Sequence, residues 1–107
     1  MGGRVDIRTE AVGEPFEASV DGPGFRAMGA AMQEAYGTPM TTLGQGGSIP
    51  LCNVFADTYP GAEIILLGVE EPLALIHAPN ESVDPSEIER LALSLAMFLR
   101  DYATTRA

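Results

Sequence analysis

The chain alternates between segments with two hydrophobic periodicities. Arg4–Glu10 places Val5 and Ile7 on one face with charged residues between them, which is typical of a β-strand. Met40–Leu43 also has the pattern of a short strand. Glu63–Val69 is a nearly continuous apolar run, which is typical of a strand buried on both faces. The pattern therefore predicts three short strands.

Helices are predicted between and after these strands. Gly24–Tyr36 carries apolar residues at helical spacing, and Gly37 can adopt the left-handed conformation that ends a helix. Ser48–Tyr59 has Pro50 in its first turn and an apolar face, so it is predicted to be the second helix.

The third helix has the strongest local signals. Asp84 is a good N-cap, Pro85 suits the first helical position, and Glu87 can close a capping box. Its apolar positions recur at helical spacing and predict one buried stripe. The stripe consists of Ile88, Leu91, Leu95, Phe98, Leu99 and Tyr102.

This element order predicts an α/β fold. Strands that alternate with helices indicate βαβ units and a mainly parallel sheet. A strand as apolar as Glu63–Val69 needs neighbours on both sides and helices over both faces. The expected architecture is therefore a partial three-layer sandwich, with the rest of the sheet missing or supplied by another chain.

Composition narrows the classes of function. The 107 residues fit one small domain, with six arginines, no lysine, fifteen acidic residues and a formal net charge of −9. That balance argues against binding to nucleic acid or to an anionic membrane surface. The longest apolar stretches are too short to cross a bilayer. The single cysteine, Cys52, excludes an internal disulfide, is assigned to core packing and suits a cytoplasmic location.

Two segments could carry chemistry. The first, Gly44-Gln45-Gly46-Gly47-Ser48-Ile49-Pro50, lies between a predicted strand and the start of a predicted helix, where free backbone N–H groups and the Ser48 hydroxyl favour an anion such as a carboxylate. It is not a P-loop, which requires a lysine. The alternative is a plain tight turn between a strand and a helix.

The second segment, His77-Ala78-Pro79-Asn80-Glu81, contains the only histidine. His77 is a candidate metal ligand, and the alternative is a buried histidine with a hydrogen-bonded ring. Glu81 could support such a ligand, or simply lie before a helix start. Both segments follow predicted strands, so in a parallel sheet they would open on one edge.

These two blocks resemble the carboxy-terminal segment of the di-zinc peptidases and amidohydrolases of clan MH. Relatives of that kind include carnosinase, the glutamate carboxypeptidases, aminoacylase and succinyl-diaminopimelate desuccinylase, and the match is closest to the dipeptidase-like branch. The resemblance implies that His77 is the last zinc ligand and that Gly46, Gly47 and Ser48 line the pocket for the substrate carboxylate. It also implies that residues 1–23 end a lid domain and that residues 24–107 complete a catalytic domain.

The resemblance also has departures. Gly44 and Gln45 stand where many relatives have Arg and Glu, and the other zinc ligands and the general base come from the amino-terminal half of those enzymes. The sequence therefore predicts a fragment of a zinc-dependent metallopeptidase or amidohydrolase, inactive alone and prone to form homo-oligomers. Its parent would cleave the amide bond of a dipeptide or an N-acyl amino acid. The alternatives are a self-associating α/β assembly module and a small hydrolase that uses Ser48 and His77.

Overall fold

A computed structural model describes residues 2–10, 12–44 and 49–105, and the elements within these ranges are helices. They are α1, Pro23–Tyr36; α2, Pro50–Thr58; and α3, Pro85–Thr105. All three helices were predicted, with boundaries that differ by two residues or fewer where they can be compared. The described residues contain no strand, so the predicted α/β sandwich with a mainly parallel sheet is wrong.

The predicted strands are irregular backbone, because nothing in the described part of the chain pairs with them. A strand gains stability from hydrogen bonds to a neighbour and from cover for its apolar face. In the first predicted strand, Val5 is 81% exposed and Ile7 is 90% exposed. Leu66, in the middle of the third, is also exposed. Without a sheet, the expectation that two site segments share a sheet edge loses its basis.

The chain divides into two compact units. One combines residues 1–17 with residues 44–62 and contains α2. The other combines residues 18–43 with residues 63–107 and contains α1 and α3. The predicted boundary after residue 23, between a lid domain and a catalytic domain of a longer protein, is not the boundary between these two units. It stays a prediction.

The core of the second unit is the contact between α1 and α3. Met28 and Ala31 of α1 are buried, as are Ser94 and Met97 of α3. Ser94 is fully buried, and its hydroxyl donates to the backbone oxygen of Arg90 at 2.8 Å, so its polar group is satisfied within its own helix. Small residues at this contact let two helices approach closely.

The buried side of α3 is rotated from the predicted stripe. Among the described side chains of this helix, the buried ones are Ser94 and Met97, which the pattern did not select. Of the predicted stripe, Leu91, Phe98 and Tyr102 are half-buried, whereas Ile88, Leu95 and Leu99 are exposed. The described helices include none that is both long and apolar enough to span a bilayer.

The helix ends follow the sequence signals closely. Gly37 has a φ of 76°, and its N–H donates to the Gln33 backbone oxygen at 2.9 Å, which confirms the predicted cap. Asp84 Oδ1 accepts the Ser86 N–H at 2.9 Å and the Ser86 hydroxyl at 2.8 Å, which confirms the N-cap of α3. Glu87 accepts a hydrogen bond from Arg90 at 3.2 Å.

Asp84 should make α3 sensitive to acid. The Ser86 backbone N–H, and then its hydroxyl, hold the pKa of the Asp84 carboxyl below its ordinary value. A lowered folded-state pKa gives stability that is present above the unfolded pKa of about 3.9 and is lost as the pH falls through the folded value. In Asp84→Asn, the amide oxygen can still cap the helix but does not titrate.

The variant is therefore expected to lose less thermal stability than the wild type between about pH 5 and pH 2, the range around the ordinary carboxyl pKa. Circular dichroism melts across that range measure the difference. Asp101, whose pKa is lowered mainly by its hydrogen bond with Arg100, titrates in both proteins and cancels in the comparison. Equal slopes against pH would contradict the assigned role of Asp84.

Candidate functional site

The loop that carries His77 is a chain of tight turns. The Ala74 N–H donates to the Glu71 oxygen at 2.9 Å, the Ala78 N–H to the Leu75 oxygen at 3.0 Å, and the Glu81 N–H to the Ala78 oxygen at 3.2 Å. A further bond, from the Ser82 N–H to the Ala74 oxygen at 2.9 Å, closes residues 74–82 into a loop. Ala74, at its base, is buried. The hydrogen bonds therefore give this segment a defined shape although it has no regular secondary structure.

The sequence explains the turn from Ala78 to Glu81 but not the turn from Leu75 to Ala78. In the turn from Ala78 to Glu81, Pro79 presets the second position and Asn80 takes the third with a φ of 64°. Proline followed by asparagine suits a turn that needs a positive φ at its third position. In the preceding turn the third position is His77, with a φ of 60°. A side chain in this left-handed region costs roughly 1–2 kcal/mol relative to glycine.

His77 is exposed at the surface of this loop. The alternative interpretation, a buried histidine with a hydrogen-bonded ring, is therefore wrong. A strained backbone under an accessible imidazole is the kind of observation that motivates a functional hypothesis. Glu81 is likewise exposed, and its backbone N–H closes the turn that begins at Ala78. The loop thus presents its imidazole to any ligand that reaches this surface.

The described residues do not fit a complete metal site. A catalytic zinc ion takes about three protein ligands. Within residues 2–10, 12–44 and 49–105, no group of three His, Cys, Asp or Glu side chains could hold a metal ion. Cys52 is buried on α2, as its assignment to core packing requires. His77 can therefore contribute at most one ligand to a site that other residues would complete.

The predicted anion loop falls largely outside the described residues. Gln45, Gly46, Gly47 and Ser48 are not among them, so their proposed contact with a carboxylate stays a prediction. The helix that follows this loop is α2, which starts at Pro50. Its N-cap residue is Ile49, whose side chain makes no capping bond.

Within the same unit, α2 is tied to the amino-terminal segment. The Asn53 side-chain amide donates to the backbone oxygen of Glu14 at 3.2 Å and to that of Pro15 at 3.4 Å. Both bonds link residues separated by nearly forty positions, which no local pattern could reveal.

Sequence reasoning also missed the role of Glu63. Its carboxylate accepts the Gly24 N–H at 2.7 Å and the Phe25 N–H at 2.9 Å, at the start of α1. A carboxylate there satisfies free donors and complements the helix dipole. Gly22 is the N-cap residue and has no side chain to do so. The glycine at the N-cap position is the one sequence signal for this contact, because it indicates that a residue from elsewhere in the chain caps the helix.

Two glycines make room for this carboxylate. A Cβ on Gly24 would lie 2.6 Å from Glu63 Oε2, and a Cβ on Gly22 would overlap Oε1. These two positions therefore have to remain free of side chains for the bond to form. The N-terminus of α1 is consequently occupied by the protein's own side chain and is not open to a ligand.

Glu63→Ala is expected to lower the free energy of unfolding by about 1–2 kcal/mol, since it removes a helix cap built from two charge-assisted hydrogen bonds. Urea unfolding followed by circular dichroism measures the change. Glu70→Ala is the matched control, because Glu70 is an exposed glutamate in the same segment. Equal effects of the two substitutions would contradict the capping role.

The other end of α1 meets α3 in a small charged cluster. The Arg90 guanidinium lies 6.0 Å from the centroid of the Tyr36 ring, and Arg90 Nη1 is 3.2 Å from Glu87 Oε1. Burial, followed by the nearby Glu87 charge, raises the pKa of the Tyr36 phenol. Every member of this cluster has a partner in the protein, so the cluster is a structural contact between the helices.

Comparison with known proteins gives one informative match. The chain is 43% identical over 102 residues to a cysteinylglycine-S-conjugate dipeptidase from Corynebacterium striatum. The match covers 94% of this chain and 22% of that relative, so the chain spans about a fifth of its length. No protein-family model matches, and neither does any solved structure. The similarity supports a relationship to a peptidase family.

Proposed function

We propose that this chain is a segment of a metal-dependent dipeptidase, and that it contributes part of the site without being able to hydrolyse a peptide alone. The observation that carries the proposal is its 43% identity over 102 residues to a dipeptidase. A match of that length within 107 residues necessarily includes residues 44–48 and residues 77–81. Both blocks noted in the sequence therefore lie in the region shared with that enzyme.

His77 is the proposed zinc ligand of this segment, with Glu81 as a supporting residue. Exposure of His77 and the defined turns around it support this assignment. The remaining ligands are proposed to come from the parts of a dipeptidase that have no counterpart among the matched residues. No hydrolytic step can be assigned to the described residues alone, since they form no complete metal site.

Gly46, Gly47 and Ser48 are proposed to hold the carboxylate of a peptide or N-acyl amino acid substrate. Glycine-rich backbone directly before a helix offers N–H groups to an anion, and α2 begins at Pro50. A cytoplasmic location and self-association complete the proposal. The single cysteine is compatible with the first, and exposed apolar residues on α3 favour the second.

The isolated chain should not hydrolyse a dipeptide, with or without added zinc. A cysteinylglycine S-conjugate is the substrate to use, since the related enzyme is named for it. Release of glycine is measured over time and compared with a blank and with the complete relative as a positive control. Turnover by the isolated chain that is abolished in His77→Ala would overturn the proposal of an incomplete site.

A chimaera provides the positive counterpart of this experiment. The matched segment of the Corynebacterium enzyme is replaced by this chain, which is 43% identical to it. The chimaera is expected to keep measurable dipeptidase activity, because the segment would supply equivalent contacts. A folded chimaera without activity would contradict the proposal.

A further inference from the structure

One side of α3 is apolar and uncovered. We call it the outer stripe; with 3.6 residues per turn it covers about 100° of the helix circumference and is about 22 Å long. Ile88 is 49% exposed, Leu95 is 41% exposed and Leu99 is 66% exposed, and the alanines between them are exposed as well. The outer stripe consists of Ile88, Ala92, Leu95, Ala96, Leu99 and Ala103.

The outer stripe contains no charged residue, but two opposite charges lie along one of its edges. Glu89 lies next to the stripe near its start and Arg100 near its end. Arg100 binds Asp101 through Nε at 2.7 Å and Nη2 at 3.2 Å. Within the described residues this leaves Nη1 of Arg100 for another acceptor, and an arginine can bond several at once.

We propose that the outer stripe is the contact surface for a second copy of this chain, with the two α3 helices antiparallel about a two-fold axis near Leu95. In this register Ile88 lies against the partner's Leu99, and Ala92 lies against the partner's Leu95. Glu89 then comes within about one helical turn of the partner's Arg100, and the two-fold axis repeats the same pair.

The charges decide the direction of the two helices. In a parallel pair the two-fold axis would run along the helices and place this edge of the two copies on opposite sides of the contact, so neither Glu89 nor Arg100 would meet an opposite charge of the partner. Only the antiparallel pair brings the opposite charges together, and such pairs favour association and set the orientation. The alanines of the stripe leave room for two backbones to approach, so that the larger side chains can pack between them.

The net charge of the chain opposes this dimer at low salt. Each copy carries a formal charge of −9, so two copies repel each other. At about 0.15 M salt the Debye length is about 8 Å, which screens most of the repulsion between distant charges. Association is therefore expected to strengthen when salt is raised to this range, and the experiment is done there. The inference does not depend on the proposed peptidase function.

Sedimentation equilibrium of the full chain over a concentration series up to about 0.5 mM, where a dissociation constant in the micromolar range is readily measured, tests the surface. The wild type is expected to approach the mass of two chains. Leu95→Glu, in the centre of the stripe, is expected to raise the dissociation constant at least tenfold. Leu66→Glu is the matched control, because Leu66 is a leucine of the same unit that is 55% exposed and lies outside α3. Its effect is expected to stay within twofold.

Charge exchange tests the antiparallel register without disturbing the apolar contact. Glu89→Arg and Arg100→Glu should each raise the dissociation constant at least threefold, and the double variant should return to within twofold of the wild type. Both residues are exposed, so these variants are expected to remain folded, and far-UV circular dichroism checks this. Failure of the double variant to recover would overturn the register.

Two other outcomes would overturn the proposal as a whole. One is a wild type that remains monomeric throughout the concentration series. The other is an equal loss of association in Leu95→Glu and Leu66→Glu, which would show that non-specific hydrophobic contacts and not the outer stripe drive association. If a monomeric chain instead binds the Corynebacterium enzyme from which the matched segment has been deleted, the stripe contacts the rest of a dipeptidase and not a second copy.

Discussion

Replacing His77 with alanine in the active chimaera is expected to lower kcat/KM at least about 100-fold. Loss of residues that merely support a metal ligand costs 10- to 100-fold, so loss of a ligand itself should cost no less. The protein should lose zinc together with activity, because both depend on the same imidazole. Steady-state hydrolysis of a cysteinylglycine S-conjugate, and competition for zinc with a coloured chelator, measure the two effects.

Leu75→Ala is the matched control for this substitution. Leu75 belongs to the same loop, is exposed, and has a φ of 56°, close to the 60° of His77. It should change kcat/KM less than threefold, since its side chain is not expected to contact metal or substrate. If His77→Ala leaves zinc affinity unchanged, or affects activity no more than Leu75→Ala does, then His77 is not the metal ligand of this segment.

Met28→Ala is expected to lower the free energy of unfolding by about 2–4 kcal/mol, the usual cost of removing most of a buried methionine side chain and leaving a cavity. Met28 is only 2% exposed, on the helix that forms the core contact with α3. Few large side chains are buried among the described residues of this unit, so the loss is large relative to its total stability. Urea unfolding followed by circular dichroism measures the change.

Met32→Ala separates burial from helix propensity. Met32 lies one turn further along α1 and is only half-buried, so the same chemical change should cost less than half as much. A cost equal to that of Met28→Ala would mean that the contact between α1 and α3 is not centred on Met28.

The helices could be predicted from the sequence because their signals are local. The caps of α1 and α3, at Gly37 and Asp84, lie within a few residues of the backbone groups they bind. The backbone of the three predicted strands could not be predicted correctly from the sequence, because an apolar run becomes a strand only when another segment pairs with it. Residues 63–69 have the composition of a buried strand, but the described residues provide no partner.

Part of the candidate site could be predicted because its signals are also local. Pro79 and Asn80 indicate a turn after His77, and the structure has one. The left-handed backbone of His77 itself carries no sequence signal, since that position would ordinarily favour glycine. The bond from Glu63 to α1 joins residues 39 positions apart, so only the three-dimensional structure reveals it.

The cap that Glu63 supplies to α1 determines when this unit can fold during synthesis. On the ribosome, α1 is synthesised well before Glu63, so its first turn emerges with its N–H groups bound only to water. Its packing partner, α3, emerges later still. Folding of this unit must therefore wait until α3 has been synthesised, and a nascent chain released before α3 is complete would leave Met28 and Ala31 exposed to chaperones and proteases.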